Sequence, residues 1–453
     1  MVDGPLADSR TAPQAPATGQ PPDPGASPKG PFGARPAISW VLYDFANTVY
    51  IATVTFVFTP YAEQLLGGLK WHGIVNFLSM AAAALLVPFF GALADTTGRS
   101  RGYLTISTLA CIAALGCWHF DLGGSWLLVL FFLANLSYNV ALLFYNALLT
   151  SVARPEHTGR ISAIGVGIGY LGTILVALVG IALAPSPRTM FLIAAGVFLA
   201  LSLPCMLWVR DRRQPALAGQ RLPPLKAMRT ANGALLETLR SLPQHRPLMW
   251  FLVGNFCLAD VLNTAVVYFA AFTKKVFAEQ AAATTGIPFF GTTLVGDEGL
   301  DTFFYTAALG LNVLAMIFGL CVGRWVERSP LTVMRVAAIA LLFALLGGAY
   351  FGGKSAHGYL ATLVALGAFG LTCIWSAGRK VVVLLAPPDQ IGRYFGLYGI
   401  TVKLSVFGGV VYGLVNDAYG SKPAMLAQTT QLLFGLVCLF MVRVDSPSRT
   451  TAR

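Results

Sequence analysis

The chain has 453 residues, of which 56% are hydrophobic and 11% charged, with a mean hydropathy of +0.68. Soluble domains carry about 25% charged residues, so this composition excludes a soluble globular protein and points to a polytopic helical membrane protein. The net charge of +12 is no sign of nucleic-acid binding, because the basic residues sit in short loops between apolar runs.

Residues 1–36 are rich in Pro, Gly and Ala with sparse charge. They predict a disordered cytoplasmic tail and contain no signal-peptide core. Twelve apolar runs follow, at 37–66, 72–94, 103–120, 125–150, 161–184 and 189–209, then 247–273, 302–323, 331–352, 358–386, 392–415 and 423–443. A helical crossing needs about 20 residues, so the expected fold is an all-α membrane protein of twelve transmembrane helices in two six-helix halves, 37–209 and 247–443. A basic cytoplasmic linker, 210–246, joins them, and 444–453 is a cytoplasmic tail. The linker holds Arg210, Arg212, Arg213, Arg221, Lys226, Arg229, Arg240 and Arg246, whereas the outer loops hold only Lys70, Arg188, Lys274, Lys275, Lys354 and Lys422. This asymmetry predicts both termini inside, and the expected location is a bacterial inner or plasma membrane.

The first span carries a carboxylate, which costs at least about 2.5–3.5 kcal/mol in hydrocarbon. Asp44, Thr48, Thr55 and Thr59 fall at helical spacing with Asn47 beside them, giving one polar stripe. Two readings stand: Asp44 snorkels or caps near a helix end, or it lines a polar central pathway. Span 4 poses the same choice, since Asn135, Tyr138, Asn139, Tyr145 and Asn146 keep to one face and fit either a pathway wall or interhelical hydrogen bonding.

The two halves repeat. Asp44-Phe-Ala-Asn47-Thr48 matches Asp260-Val-Leu-Asn263-Thr264 at an offset of 216. Gly91-Ala-Leu-Ala-Asp95 matches Gly323-Arg-Trp-Val-Glu327 at 232, and Gly159-Arg160 matches Gly392-Arg393 at 233. Repeats in this order mark secondary transporters, with the solute site between the halves.

Gly91-Ala-Leu-Ala-Asp95-Thr-Thr-Gly98-Arg99-Ser-Arg101 resembles the loop motif of the major facilitator superfamily. It departs at Thr96, where a base is usual, and at Ser100. The resemblance implies that Gly91, Asp95, Gly98 and Arg99, with the repeat counterpart Glu327, gate the two halves and do not bind solute. Trp40-Val-Leu-Tyr43-Asp44-Phe45-Ala46-Asn47-Thr48 is similar to the opening signature of the vacuole-effluxer-like branch, also called the unidentified major facilitator family. Gly165-Val-Gly167-Ile-Gly169-Tyr170-Leu-Gly172 and Gly392-Arg393-Tyr394-Phe395-Gly396-Leu397-Tyr398 are similar to that branch as well. The resemblance spans about 37–443. It implies transport, with amino-acid export from the vacuole, associated with the fungal relatives, as a lead to the solute.

Span 7 presents Asp260, Asn263, Thr264 and Tyr268 on one face, span 10 carries Arg379 and Lys380, and span 11 carries Lys403. One reading pairs Asp44 or Asp260 with Arg379 or Lys403 to hold helices together. The other has Asp44 and Asp260 carry a coupling proton, with Asn47, Asn146, Asn263, Tyr268, Arg379 and Lys403 contacting the solute. A switching pair satisfies both. Gly348 to Ser355 fits the phosphate-loop pattern and Gly167 to Gly172 the dinucleotide pattern, but both lie in apolar helices where those ligands have no place.

The seven cysteines fall in apolar runs without a CxxC pair, and the five histidines lack ligand spacing, so no metal or other cofactor is expected. No enzyme constellation appears. The expected function is secondary active transport of a small polar solute by a monomer in the lipid bilayer, coupled to protons or another ion. The alternative is a non-transporting receptor or scaffold that uses the tail and linker.

Overall fold

A computed structural model describes residues 33–66, 70–121, 123–183, 185–211, 242–283, 286–387, 390–405 and 407–442, with scattered positions between 229 and 240. The predicted tails and most of the basic linker lie outside the described residues. Nearly everything described is helix. In hydrocarbon every backbone N–H and C=O must be paired within the protein, and a helix does that within one segment.

The first half comprises span 1 (Ala34–Leu66), span 2 (Lys70–Thr97), span 3 (Ser100–Cys117), span 4 (Gly124–Ala147), span 5 (Thr158–Leu183) and span 6 (Pro187–Trp208). The second comprises span 7 (Arg246–Ala282), span 8 (Gly296–Cys321), span 9 (Pro330–Phe351), span 10 (Ala356–Leu385), span 11 in two pieces (Ile391–Leu404 and Phe407–Tyr419) and span 12 (Ser421–Met441). Eleven of these are long and apolar enough to cross a membrane. Span 3, which opens on Ser100-Arg101-Gly102, completes the twelve expected.

Besides a π turn at Leu360–Val364 in span 10, four local features depart from the expected spans. Span 7 continues to Ala282, beyond the predicted end at 273. A hairpin of β1 (Ile287–Phe289) and β2 (Thr292–Leu294) then leads into span 8. Residues Val54–Phe58 form a π turn in span 1, and Thr59 Oγ1 donates to the carbonyl of Val54, five residues back. That turn inserts an extra residue and breaks the expected stripe: Asp44 is buried, but Thr55 is exposed and bonds only to the Ile51 carbonyl. Span 11 is interrupted at Ser405, whose ψ of 59° leaves the helical region.

The halves meet along two seams, span 2 on span 11 and span 5 on span 8. Small residues set both. A methyl group added at Gly91 would strike the carbonyl of Gly392, and one at Gly167 would stand 3.1 Å from Gly319 Cα. With lipid as apolar as the side chains, such close backbone approach supplies much of the packing energy.

Candidate functional site

Three polar assemblies occupy the interfaces. The first is central. Arg379 of span 10 forks the Asp44 carboxylate of span 1, with Nη1 at 2.9 Å from Oδ2 and Nη2 at 3.4 Å from Oδ1. Both side chains are about nine-tenths buried. The guanidinium carbon lies 5.5 Å from the Trp40 ring centre and 5.3 Å from that of Tyr145. Trp40 and Tyr145 stack at 4.3 Å, and Trp40 Nε1 donates to the Tyr145 carbonyl at 2.8 Å. Two aromatic faces and one carboxylate thus fix a planar cation that is far from water.

Span 5 reaches this pair through its glycines. A Cβ at Gly165 would stand 2.7 Å from the Trp40 ring and 3.1 Å from Asp44 Oδ2, and one at Gly172 would stand 2.8 Å from the Phe45 carbonyl. Around the pair, Asn47 has both amide atoms buried without a hydrogen-bond partner among the described residues, as does Asn146 Oδ1. The Tyr398 hydroxyl and Asn255 Oδ1 are in the same condition, and both lie beside Gly378, next to Arg379. Buried polar atoms that lack partners are rare in native folds, so this group marks a candidate polar site.

The second assembly holds the span 7 residues, which do not join Arg379. Asp260 Oδ2 accepts from the Gly408 N–H at 2.7 Å and from Gln431 Nε2 at 2.7 Å. Asn263 donates to Ser405 Oγ at 2.8 Å. Tyr268 donates to the Gly409 carbonyl at 3.3 Å and stacks on Tyr412 at 4.3 Å. Of the pairings of Asp44 or Asp260 with Arg379 or Lys403 open in the sequence, the structure forms Asp44 with Arg379, and Asp260 has no basic partner among the described residues. Lys403 is buried without a carboxylate partner among the described residues.

The third assembly closes the Arg- and Lys-rich side. Asp95 accepts the N–H groups of Gly392 (2.7 Å) and Arg393 (2.8 Å) at the start of span 11. Glu327 accepts those of Gly159 (2.6 Å) and Arg160 (3.1 Å) at the start of span 5. Each carboxylate sits where helix N-termini leave unpaired donors and a partial positive charge. Lys380 pairs with Glu327, and also donates to the Pro155 carbonyl and to Thr158 Oγ1. Gly98 ends span 2 at φ +63°, a left-handed turn that suits glycine. Arg99 is exposed and is not brought to Asp95. Arg101 instead reaches span 6, where its Nη1 meets the Val209 carbonyl at 3.3 Å and its N–H meets Asp211 at 2.9 Å. Burial pushes the Asp211 carboxyl above its usual range, and the Arg101 N–H partly offsets this.

Sequence reasoning missed Asn255, the clamping role of Trp40, and the part Lys380 plays. Asn255 sits in an apolar run five residues before Asp260, and a lone amide there was the available signal.

Two pseudo-symmetric helical halves around a buried interdomain ion pair define the class of a membrane transporter. The Major Facilitator Superfamily model matches residues 37–409, and the chain belongs to that family. It is 23% identical to the "Uncharacterized MFS-type transporter YxiO" of Bacillus subtilis, over 90% of this chain and 92% of that one. It is 28% identical to "Autophagy-related protein 22-1" of Aspergillus fumigatus, over 64% of this chain but only 49% of that protein. The chain thus spans about half the length of the fungal relatives, and the likeness to the vacuole-effluxer-like branch holds. Among solved folds, it superposes on the transporter FucP in the outward conformation with a TM-score of 0.64 at 16% identity, covering 90% of this chain and 98% of that one. The proton:xylose symporter XylE superposes with a TM-score of 0.61 at 12% identity, covering 90% and 94%.

Proposed function

We propose that this transporter exports a small polar solute, with amino acids as the leading class, by proton-coupled alternating access. The observation that carries the reading is the buried Asp44–Arg379 fork between the halves. An amino acid replaces the fork by placing its carboxylate on Arg379 and its ammonium on Asp44, and a proton taken up by Asp44 from the outer side expels it, which is exchange in the export direction. Asn47 and Asn146 hold open amide groups toward that solute. Asn263, Tyr268 and Lys403 extend the contact surface in the second half, where Asp260 is a further coupling group.

Both termini face the cytoplasm of a bacterial cell, and the working unit is a monomer. On that orientation the Asp95 and Glu327 contacts seal the cytoplasmic side, a state open to the outside. The similar folds of XylE, a proton:xylose symporter, and of FucP in the outward conformation lend support to coupling and to this state. The fungal relatives lend support to the amino-acid lead.

Reconstituted liposomes with an imposed pH gradient and a labelled amino-acid panel test the reading. Wild type accumulates solute, Asp44→Asn expresses but loses gradient-driven accumulation, and Arg379→Ala loses thermal stabilisation by the solute. Transport by Asp44→Asn with unchanged pH dependence would sink the coupling role.

A further inference from the structure

The interruption of span 11 brings three oxygen-bearing side chains to one point. A methyl group added at Gly408 would stand 2.6 Å from Thr264 Oγ1, 2.9 Å from Asp260 Oδ2 and 2.9 Å from Gln428 Oε1. Spans 7 and 12 therefore crowd oxygens against the start of the second piece of span 11. Asp260 is 0%, Gln428 2% and Thr264 4% exposed. Asp260 Oδ1 and Gln428 Oε1 have no hydrogen-bond partner among the described residues. The Gln428 amide nitrogen is already committed to the Gly408 carbonyl at 3.1 Å, so Oε1 is the atom left facing the cluster.

The Thr264 hydroxyl can donate one hydrogen bond, but Asp260 Oδ1 and Gln428 Oε1 are acceptors only, and buried acceptors left unpaired in low dielectric are costly unless something positive lies among them. Among the described residues no side chain supplies that charge, because neither Asp260 nor Lys403 forms an ion pair there. The Gly408 N–H and Gln431 occupy only Oδ2. An all-oxygen donor set suits a hard cation. A single carboxylate balances a single charge, whereas a divalent ion would leave excess charge in the membrane. Interrupted helices are also where transporters hold coupling ions, because the break frees backbone carbonyls and helix ends.

We propose that Asp260, Thr264 and Gln428 bind a dehydrated monovalent alkali cation, sodium first, at the interruption of span 11. The cation bridges spans 7 and 12 at Gly408 and so ties its occupancy to the packing of the second half. This deepens the reading of Asp260 as a coupling group, which it rests on, by naming its ion. Binding is read at equilibrium without solute, so it can fail while transport stands.

The test is thermal unfolding of the purified full chain in detergent, in sodium chloride, potassium chloride or choline chloride at matched ionic strength, together with equilibrium binding of radiolabelled sodium. Sodium is expected to raise the wild-type Tm by several degrees over choline and to bind at one ion per chain. Asp260→Asn keeps an acceptor for the Gly408 N–H but loses both responses. Thr264→Val, which keeps the side-chain shape, weakens sodium binding at least about tenfold and reads the site even where Asp260→Asn does not fold. Asp417→Asn, an exposed carboxylate on the same piece of span 11, keeps the full response. Equal Tm in sodium and choline without radiolabel binding, as a site holding only a proton would give, overturns the proposal. So does a sodium response that survives in Asp260→Asn and Thr264→Val.

Discussion

The two carboxylates on the basic side do the same job with different means. Asp95 and Glu327 are repeat counterparts, and each caps the N-terminus of a helix in the opposite half through two N–H donors. Asp95 has both oxygens committed to backbone and a longer ion pair to Arg393, whose Nε lies 3.7 Å from Oδ2. Glu327 gives one oxygen to the backbone and the other to Lys380, which is only 4% exposed. Lys380 corresponds to Ala147 in the first half at the 233 offset. One carboxylate is thus a helix cap with a long guanidinium contact, and the other is a helix cap with a buried ammonium locked under it. The symmetry of the fold supplies the caps, and a single unmatched residue makes the second contact the more consequential.

The comparison breaks most visibly at Glu327. Glu327→Ala leaves the Lys380 ammonium buried without its carboxylate, a loss of about 3–5 kcal/mol. The expected outcome is a sharply lower Tm and faster hydrogen exchange over 323–328 and 158–163. Glu327→Ala with Lys380→Met removes the stranded charge and recovers most of that loss. A double variant as unstable as the single one would assign the damage to the lost cap. Asp95→Asn strands no ammonium and keeps one acceptor, so it costs about 1–3 kcal/mol. Because about 1.4 kcal/mol is tenfold in an equilibrium, either variant shifts the population toward the state with the latches open.

The glycines sharpen the same contrast in the other direction. A Cβ at Gly91 would drive into the Gly392 carbonyl, where backbone faces backbone. A Cβ at Gly323, its counterpart, meets Arg160 Cγ at 3.1 Å, Cα at 3.2 Å and the carbonyl oxygen at 3.3 Å, tight contacts that a shift of a few tenths of an ångström relieves. Gly91→Ala is expected to cost about 1–3 kcal/mol and Gly323→Ala less than half of that in thermal unfolding. Equal costs would show that the two seams are equally rigid.

These contrasts also mark what the sequence could tell. Span positions were legible because hydrocarbon imposes a length and forbids charge, and the observed helices begin and end within a few residues of the apolar runs, apart from the tail of span 7 and the head of span 8, which starts at Gly296 where 302 was expected. The repeat was legible too, and Gly91-Asp95 and Gly323-Glu327 do meet Gly392-Arg393 and Gly159-Arg160 in crossed fashion. The stripe along span 1 failed at Thr55 because spacing arguments assume unbroken α geometry, which the π turn violates. The choice of Asp44 over Asp260 for Arg379 was not legible, because it depends on the distance between halves. No local pattern encodes that distance. The interruption at Ser405 was hidden for a related reason: no proline marks it, and tertiary hydrogen bonds from Asn263 hold the loosened turn.

The smallest effect is expected where the motif resemblance gives most weight to a residue that the structure leaves alone. Arg99 stands four residues from Asp95 but points its charge into the open, whereas Arg101 ties span 3 to the end of span 6. Exposed side chains without partners change stability by no more than about 0.5 kcal/mol on truncation. Arg99→Ala should therefore leave both Tm and hydrogen exchange at 158–163 within error of wild type, while Arg101→Ala lowers Tm measurably through the lost Val209 contact. The two arginines differ by one turn position, so the pair controls for net charge on this face. A strong shift toward the open state in Arg99→Ala alone would mean that Arg99 finds its partner only once the latches part. Its gating role would then belong to the conformation opposite to the one in which Asp95 acts.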